Sequence, residues 1–173
     1  MAVRRLLVLT ASELEARTLA RTLGLAPAPG PVAAFTGGRV RVVCVGVAAA
    51  RIERALPVDS GSTLVVSAGV CGALDPSLPV GALVVPETVA GTSGERWIAA
   101  AMPPLTARGT LLAVSEVVET AAAKSRLWME SGALALDMES GEICRWAAAV
   151  GVPAGVVRGV SDAADRGVPG ALA

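Results

Sequence analysis

The segment from Ala135 to Asp165 places the strongest constraint on the fold, because it contains every part of one strand-helix-strand unit. It begins with the end of a strand and continues into a helix that starts near Met138. A turn rich in Gly and Pro follows, and a second apolar strand ends at Ser161-Asp162. A helix that joins two neighbouring strands of one sheet leaves those strands parallel. The segment therefore predicts an α/β fold.

The rest of the sequence repeats this alternation of strands and helices. We predict strands at Arg4–Thr10, Arg39–Gly46, Thr63–Gly69, Ala82–Pro86 and Thr110–Ser115, and helices at Ser12–Leu23, Ala48–Leu56 and Glu119–Glu130, with a further short helix around Trp97. Gly37-Gly38 predicts a hairpin turn, and Pro57 ends the second helix. These elements indicate one α/β domain over residues 1–173, with a mainly parallel central sheet flanked by helices.

The first helix carries an apolar repeat. Leu14, Leu19 and Leu23 recur with Thr18 at helical spacing after the capping residue Ser12. We expect this row to face the sheet.

Composition excludes several classes of partner. Fifteen basic residues balance fifteen acidic ones, and aromatic residues make up 2% of the chain. The sequence therefore offers neither a basic surface nor stacking side chains for nucleic acid. The mean hydropathy is +0.62, but charged residues, Pro or Gly interrupt every apolar run before the roughly 18 residues that a membrane span needs. We expect a soluble protein without a membrane span.

The three cysteines and the absence of histidine limit the chemistry further. Cys44, Cys71 and Cys144 are odd in number, widely spaced and set among apolar residues, which argues against a disulfide framework. No His is present to activate Cys71 or to bind zinc, so we expect neither a thiol nucleophile nor a metal. Free thiols are typical of a reducing compartment, which makes the cytoplasm the expected location.

Polar side chains cluster where the predicted strands end. The four ends lie at Ala11–Glu15, Ser67–Gly72, Ser115–Glu119 and Ser161-Asp162. In an open α/β sheet such ends meet in one crevice, together with the start of the helix at Met138. Their carboxylates, hydroxyls and backbone N–H groups suit acid and base catalysis on a polar small molecule.

Each of these acidic residues also has a purely structural explanation. Asp137 and Glu139 can cap a helix, and Glu13 and Glu15 occupy a first helical turn, where acidic residues are common. Ser161-Asp162 can form a turn. Taken one at a time, the motifs leave both explanations open.

Three segments, in this order, resemble signatures of the nucleoside phosphorylase/nucleosidase superfamily. They are the glycine-rich Ser67-Ala-Gly-Val-Cys-Gly72 with its continuation to Pro86, Leu136-Asp-Met-Glu-Ser140, and Val157-Arg-Gly-Val-Ser-Asp162 with its continuation to Asp165. The resemblance is continuous over residues 65–89 and 133–165. The compact length and the Ala/Pro-rich composition are most similar to hopanoid-associated phosphorylases and to methylthioadenosine/S-adenosylhomocysteine nucleosidases.

The resemblance implies roles for individual residues. Asp162 matches the acid that protonates or hydrogen-bonds the purine, and Glu139 matches the carboxylate that binds the ribose hydroxyls. Glu15, in preference to Glu13, matches the glutamate that activates the attacking water. The other positions implied to contact substrate are Met138 against the sugar, Val70, Cys71 and Gly72 beside the sugar and base, and Ser67, Val118 and Ser161.

The sequence departs from the phosphorylase pattern at two positions. Phosphorylases that resemble this chain bring an Arg to the places held here by Ser67 and Glu15, in order to bind phosphate. The departure favours water as the acceptor, although Arg17 and Arg21 keep phosphate open as a co-substrate. We expect no other cofactor.

Two further departures concern the walls of the site. Where many relatives stack an aromatic residue on the base, this chain has Val117 or Val118. Relatives also continue for one more helix, whereas this sequence ends eleven residues after Asp162. The family's C-terminal helix is thus expected to be missing, with one wall of the site left open or completed by a neighbouring subunit. We expect a homo-oligomer, with a dimer as the first candidate.

The resemblance implies an enzyme that cleaves the N-glycosidic bond of a purine nucleoside, with adenine as the expected base and hydrolysis preferred to phosphorolysis. One alternative is phosphorolysis of an adenosyl compound with a bulky apolar 5′ substituent, as in the hopanoid-associated proteins. Another is a nucleoside-binding protein with weak turnover or none.

Overall fold

The computed structural model describes residues 5–56 and 61–167. Within these ranges the strands are β1 (Leu6–Thr10), β2 (Ala26–Ala28), β3 (Ala34–Gly37), β4 (Val40–Cys44), β5 (Leu64–Ala73), β6 (Leu83–Val84), β7 (Thr88–Gly91), β8 (Arg96–Ile98), β9 (Thr110–Ala113), β10 (Ala135–Asp137) and β11 (Ala154–Asp162). The helices are α1 (Glu13–Thr22), α2 (Ile52–Ala55), α3 (Ala121–Ser131) and α4 (Ser140–Ala149), with a short 3₁₀ turn at Val47–Ala49. None of these helices has the length and apolar character that crossing a membrane requires.

The strands form one mixed sheet. Nine of them follow the order β2-β3-β4-β1-β5-β10-β9-β7-β8, and β11 pairs with β5 and with β6. In the described part of the chain, five strand pairings are parallel and five are antiparallel. The predicted α/β class is confirmed, and the sheet is mixed and not purely parallel. Short loops, such as the hairpin turn at Gly38, can join only antiparallel neighbours, and they form the edges of the sheet.

The long central strand β5 organises the sheet. Its first residues, Leu64–Ser67, pair with β1 on one side, and Val65–Gly72 pair with β11 on the other. Its last two residues, Gly72 and Ala73, also pair with β10. The strand thereby changes partners near Gly72, and it draws the ends of β1, β10 and β11 toward one place.

The two faces of β1 pack against different helices. Leu7 and Leu9 are almost fully buried with Val65 and with Ile143 of α4. On the opposite face, Val8 packs with residues of α1. This alternation follows from the two-residue period of a strand.

Helix α1 presents a different face to the sheet from the one that its leucines predict. Its buried residues are Ala16 and Ala20, whereas Leu14 and Leu23 are 76% and 51% exposed. Two alanines give the helix a narrow side that can approach the β-branched residues of the strands closely. Of the predicted apolar row, Leu19 packs partly against the core, whereas Leu14 and Leu23 do not; the helix itself and its Ser12 cap are present.

The predicted helix around Trp97 is also wrong. Trp97 lies in strand β8, where it pairs with Val89 of β7. The turn that connects these strands contains Gly94 at a φ of +94°, which favours glycine. Pro57, the predicted end of the second helix, lies outside the described residues.

Truncation of Leu9 should test the packing of the central strand. Because its side chain is fully buried, Leu9→Ala should lower the free energy of unfolding by about 2–5 kcal/mol. Leu14→Ala on exposed α1 surface should change it by no more than about 0.5 kcal/mol. Urea denaturation of both variants measures the difference, and equal losses would contradict this assignment of the core.

Candidate active site

A cavity of about 220 Å³ lies where β5 changes partners. It is bordered by the residues after β1, the glycine segment of β5, the loop after β9, the end of β10 and the end of β11. Its lining residues are Ala11, Glu15, Val70, Cys71, Gly72, Glu116, Val117, Val118, Leu136, Asp137, Met138, Glu139, Ser161 and Asp162. The strand ends that the sequence analysis placed in one crevice do meet in one cavity.

Nine of the ten predicted site residues line this cavity, and Ser67 does not. Ser67 is fully buried, and its hydroxyl accepts a hydrogen bond of 2.6 Å from Arg158 Nη2. It therefore lies in the layer behind the cavity. Val117 and Val118 both line the cavity, so the structure does not separate these two alternatives.

Glu15 is held in the wall by its own helix start. Its Oε2 accepts hydrogen bonds from the Ser12 backbone N–H at 2.8 Å and from the Ser12 hydroxyl at 3.0 Å. Its Oε1 accepts from the Val70 backbone N–H at 3.2 Å. Glu13, the alternative candidate, is exposed and pairs with Arg17. Only Glu15 reaches the cavity.

Arg158 is a charged residue that sequence reasoning missed. It is 1% exposed, and its Nη2 forms an ion pair with Asp137 Oδ2 at 2.5 Å. The same nitrogen donates to the hydroxyls of Ser67 and Ser140. An arginine in the middle of an apolar run was the signal that could have identified it, because such a residue is almost never buried without a partner.

Asp137 performs the predicted capping role and a second one. Its carboxylate accepts hydrogen bonds from the Ser140 backbone N–H, at 3.1 Å to Oδ2, and from the Ser140 hydroxyl at 2.5 Å. It thus accepts a hydrogen bond from a backbone N–H in the first turn of α4 that has no partner within the helix, while it also pairs with Arg158. Asp137 therefore links the start of α4 to strand β11.

Glu139 stands at the N-cap of α4 and is 6% exposed. Its Oε1 accepts a hydrogen bond of 3.1 Å from the backbone N–H of Ala48, a residue with a left-handed φ of 52°. Its Oε2 lies 3.6 Å from Arg158 Nη1. Burial raises the pKa of the Glu139 carboxyl, with Asp137 and Glu15 adding to the effect and Arg158 and the Ala48 N–H opposing it.

Gly69 allows two charged groups to approach the backbone. A β-carbon at this position would lie 2.6 Å from both Arg158 Nη1 and Glu15 Oε1. Because any side chain would displace this pair, the glycine is required by close approach. The guanidinium and the Glu15 carboxylate therefore converge on one point beside the cavity.

Asp162 is held at the other end of the cavity. Its Oδ2 forms an ion pair with Lys124 Nζ of α3, and its Oδ1 accepts a hydrogen bond of 2.7 Å from the Ser161 hydroxyl. A β-carbon at Gly72 would lie 2.9 Å from Asp162 Oδ2, so this glycine makes room for the carboxylate. Lys124 was not predicted, although it is the only lysine of the sequence.

The Cys71 thiol is unsuited to act as a nucleophile. The residue is 3% exposed, and burial raises the pKa of its thiol to about 12. Since the thiolate is the reactive form, Cys71 stays inert near neutral pH. Within residues 5–56 and 61–167, no cluster of Cys, Asp and Glu has the arrangement of a metal site.

The wall of the cavity carries negative charge. Among the residues described, its lining contains Glu15, Glu116, Asp137, Glu139 and Asp162 and no Lys or Arg. The two nearby cations, Arg158 and Lys124, lie behind the wall and pair with carboxylates. Arg17 is exposed on the outer side of α1, so it does not supply a cation to the cavity.

A second cavity of about 370 Å³ adjoins the first and shares Met138 with it. Its lining includes Thr92, Ser93, Glu95 and Arg145. Arg145 pairs with Glu142 at 2.5 Å and with Glu95 at 3.4 Å. The space beyond Met138 is therefore bordered by these polar and charged groups and also by apolar ones, among them Trp97 and Val114.

Replacement of Glu139 should reveal the cost of its burial. The buried Glu139 carboxyl stabilises the folded state most when it is neutral. Because its pKa is raised, its contribution to the free energy of unfolding is present in full below the ordinary value of 4.5. That contribution is lost as the pH rises through the pKa of the folded state. Glu139→Gln carries no charge, so the melting temperature of the variant relative to wild type should be higher at pH 8 than at pH 4.5. Glu142→Gln, at an exposed position of the same helix, is the control. A relative melting temperature that falls or stays constant with pH would contradict the assignment.

One protein family resembles part of the chain. The family model described as the phosphorylase superfamily matches residues 92–172. No curated protein sequence shows a significant match to the chain.

Many solved structures share the fold. A methylthioadenosine nucleosidase from Arabidopsis thaliana superposes with a TM-score of 0.80 at 17% identity, over 99% of this chain and 87% of the other. A Helicobacter pylori nucleosidase mutant, solved with 5′-methylthioadenosine in its active site, gives 0.78 at 18% identity, over 95% and 87%. Futalosine hydrolase of the same organism gives 0.77 at 19% identity, over 94% and 86%. The chain thus shares the fold of these nucleosidases, and its residues 92–172 resemble the phosphorylase superfamily.

Proposed function

We propose that the protein is a nucleosidase that hydrolyses the N-glycosidic bond of a purine nucleoside, with adenine as the base. The negative wall of the cavity is the observation that carries this proposal. When such a bond breaks, the sugar becomes positively charged and resembles an oxocarbenium ion. Fixed carboxylates around the sugar stabilise that charge more strongly than they stabilise the neutral substrate, which is the condition for catalysis.

Glu139 and Met138 bind the sugar in this proposal. The Glu139 carboxylate reaches the cavity from the N-cap of α4, and the Ala48 N–H holds one of its oxygens. Hydrogen bonds from ribose hydroxyls to this carboxylate strengthen as the sugar gains positive charge. Met138 supplies the apolar surface beside the ring.

Glu15 positions and deprotonates the attacking water. Ser12 and Val70 fix both of its oxygens, so the carboxylate has one orientation in the wall. Its contact point above Gly69 is shared with the Arg158 guanidinium. A water between these two groups would donate to the glutamate and accept from the arginine.

Asp162 interacts with the leaving base at the opposite end. Its carboxyl hydrogen-bonds the base and gives it a proton, which makes the base a better leaving group. The Ser161 hydroxyl contacts both this carboxyl and the Cys71 carbonyl oxygen. Val70, Val117 and Val118 offer aliphatic surfaces to the faces of the base.

Water is the better acceptor than phosphate in this cavity. Phosphate recognition requires a cation with free donors, whereas the described lining contains none and the buried Arg158 already serves Asp137, Ser67 and Ser140. The surrounding carboxylates also repel an anion. Phosphorolysis thus requires a rearrangement that hydrolysis does not.

The folds of relatives and the second cavity bear on the substrate. The similar structures include nucleosidases for methylthioadenosine and a hydrolase for futalosine, which supports a nucleoside with an extended 5′ substituent. The cavity beyond Met138 offers space for such a substituent, and its lining contains both polar side chains, such as Thr92 and Arg145, and apolar ones, such as Trp97 and Val114. The cytoplasmic location and the homodimer expected from the sequence remain proposals.

A release assay tests the proposed reaction. The protein is incubated with adenosine, methylthioadenosine and S-adenosylhomocysteine, with and without phosphate, and free adenine is measured. We expect adenine release that does not depend on phosphate. Release that requires phosphate would establish phosphorolysis instead, and tight binding without release would identify a nucleoside-binding protein.

Replacement of Asp162 tests the assigned acid. Asp162→Asn keeps the shape but cannot supply a proton, so turnover should fall by about 100-fold or more. Asp165→Asn, an exposed neighbour on the same segment, should retain wild-type turnover. If Asp162→Asn is as active as wild type, the base is protonated by another group.

A further inference from the structure

Lys124 occupies an unusual place for a lysine. It is the only lysine among fifteen basic residues, and it is 0% exposed. It lies in the first turn of α3, which begins after the Thr120 cap. Other charged residues of this helix, such as Arg126, are exposed. A basic residue is almost never buried without a partner, because removing its charge from water is costly.

The Lys124 ammonium is directed at the end of β11. Its Nζ forms an ion pair with Asp162 Oδ2 and donates a hydrogen bond of 2.9 Å to the Ala163 carbonyl oxygen. Ser161 holds the other oxygen of the same carboxyl. Both oxygens of Asp162 are therefore oriented by donors, one from α3 and one from its own strand.

Structural stability gives a poor explanation for this arrangement. Replacing a buried ion pair by well-packed apolar residues is often neutral or stabilising. The ion pair does, however, fix the orientation of a carboxyl on the cavity wall. It also places a positive charge beside the group that must carry a proton.

We propose that Lys124 is a positioning residue for the proposed reaction: it fixes the Asp162 carboxyl toward the base. The inference rests on the role of Asp162 in the proposed function. No bond to substrate is formed by Lys124 itself.

Other charged or titratable groups also lie near Asp162. From β5, the Cys71 thiol stays uncharged, because burial raises its pKa to about 12. From the loop after β9, Glu116 lines the same cavity, as does Glu15 from α1. Within the described part of the chain, Lys124 is the cation that forms an ion pair with Asp162. Its removal should therefore have the largest effect on this carboxyl.

The split between kcat and KM separates positioning from a structural role. In Lys124→Met, kcat should fall by about 10- to 100-fold with a smaller change in KM. Lys124→Arg keeps the charge and should restore most of the lost kcat. Arg126→Met, on the exposed side of α3, should change neither quantity. A wild-type kcat in folded Lys124→Met would overturn the inference.

The single lysine permits a test that does not need activity. In protein grown with ¹³Cε-labelled lysine, one lysine resonance is expected, and it should shift in Asp162→Asn but not in Asp165→Asn. Adenine added to wild type should also shift it. If the chemical shift of this resonance is the same in Asp162→Asn as in wild type, the inference is overturned, even if Lys124→Met fails to fold. Wild-type protein that releases no base would contradict the proposed function instead, while the resonance would still report on the pair.

Discussion

Arg158 carries a full positive charge in the interior, and three parts of the chain are arranged around its neutralisation. Asp137 at the end of β10 forms the ion pair, Ser67 of β5 and Ser140 of α4 accept further hydrogen bonds, and Glu139 lies within 3.6 Å. Removing one partner from such a network leaves an uncompensated buried charge, which costs about 3–5 kcal/mol. The position of α4, and with it that of Glu139, therefore depends on this arginine.

The same network determines what the cavity can do. Arg158 lies behind the wall and pairs there with Asp137, whereas Glu15 and Glu116 line the cavity without an ion pair to another described residue. A cavity of this kind favours a substrate that becomes positive during the reaction and disfavours an anionic acceptor. The opposite end follows the same design, since Lys124 lies behind Asp162 and not in the lining. At both ends of the cavity a buried cation lies behind a carboxylate of the lining. These ion pairs connect the stability of the core with the proposed chemistry.

Local patterns predicted much of this structure, because they depend on nearby residues. The Ser12 cap, the hairpin turn at Gly38 and the strand that ends at Asp162 all follow from short-range signals. The antiparallel edges of the sheet and the inward face of α1 were not predicted, since pairing and packing depend on distant partners. Ser67 was placed in the cavity by motif position, but its side chain points into the layer behind. Lys124 and Arg158 were missed because their meaning lies in contacts to residues 38 and 21 positions away.

The central claim is that the cavity recognises positive charge on the sugar, and a pair of ligands tests it directly. Adenine attached to a hydroxylated pyrrolidine ring is cationic at neutral pH, whereas its cyclopentane counterpart has the same shape and no charge. Calorimetric titration of the wild-type protein with both gives the ratio of their Kd values. We predict that the cationic ligand binds about 100-fold more tightly or better, as expected for a mimic of the transition state. Equal affinities, or tighter binding of the neutral ligand, would contradict the account.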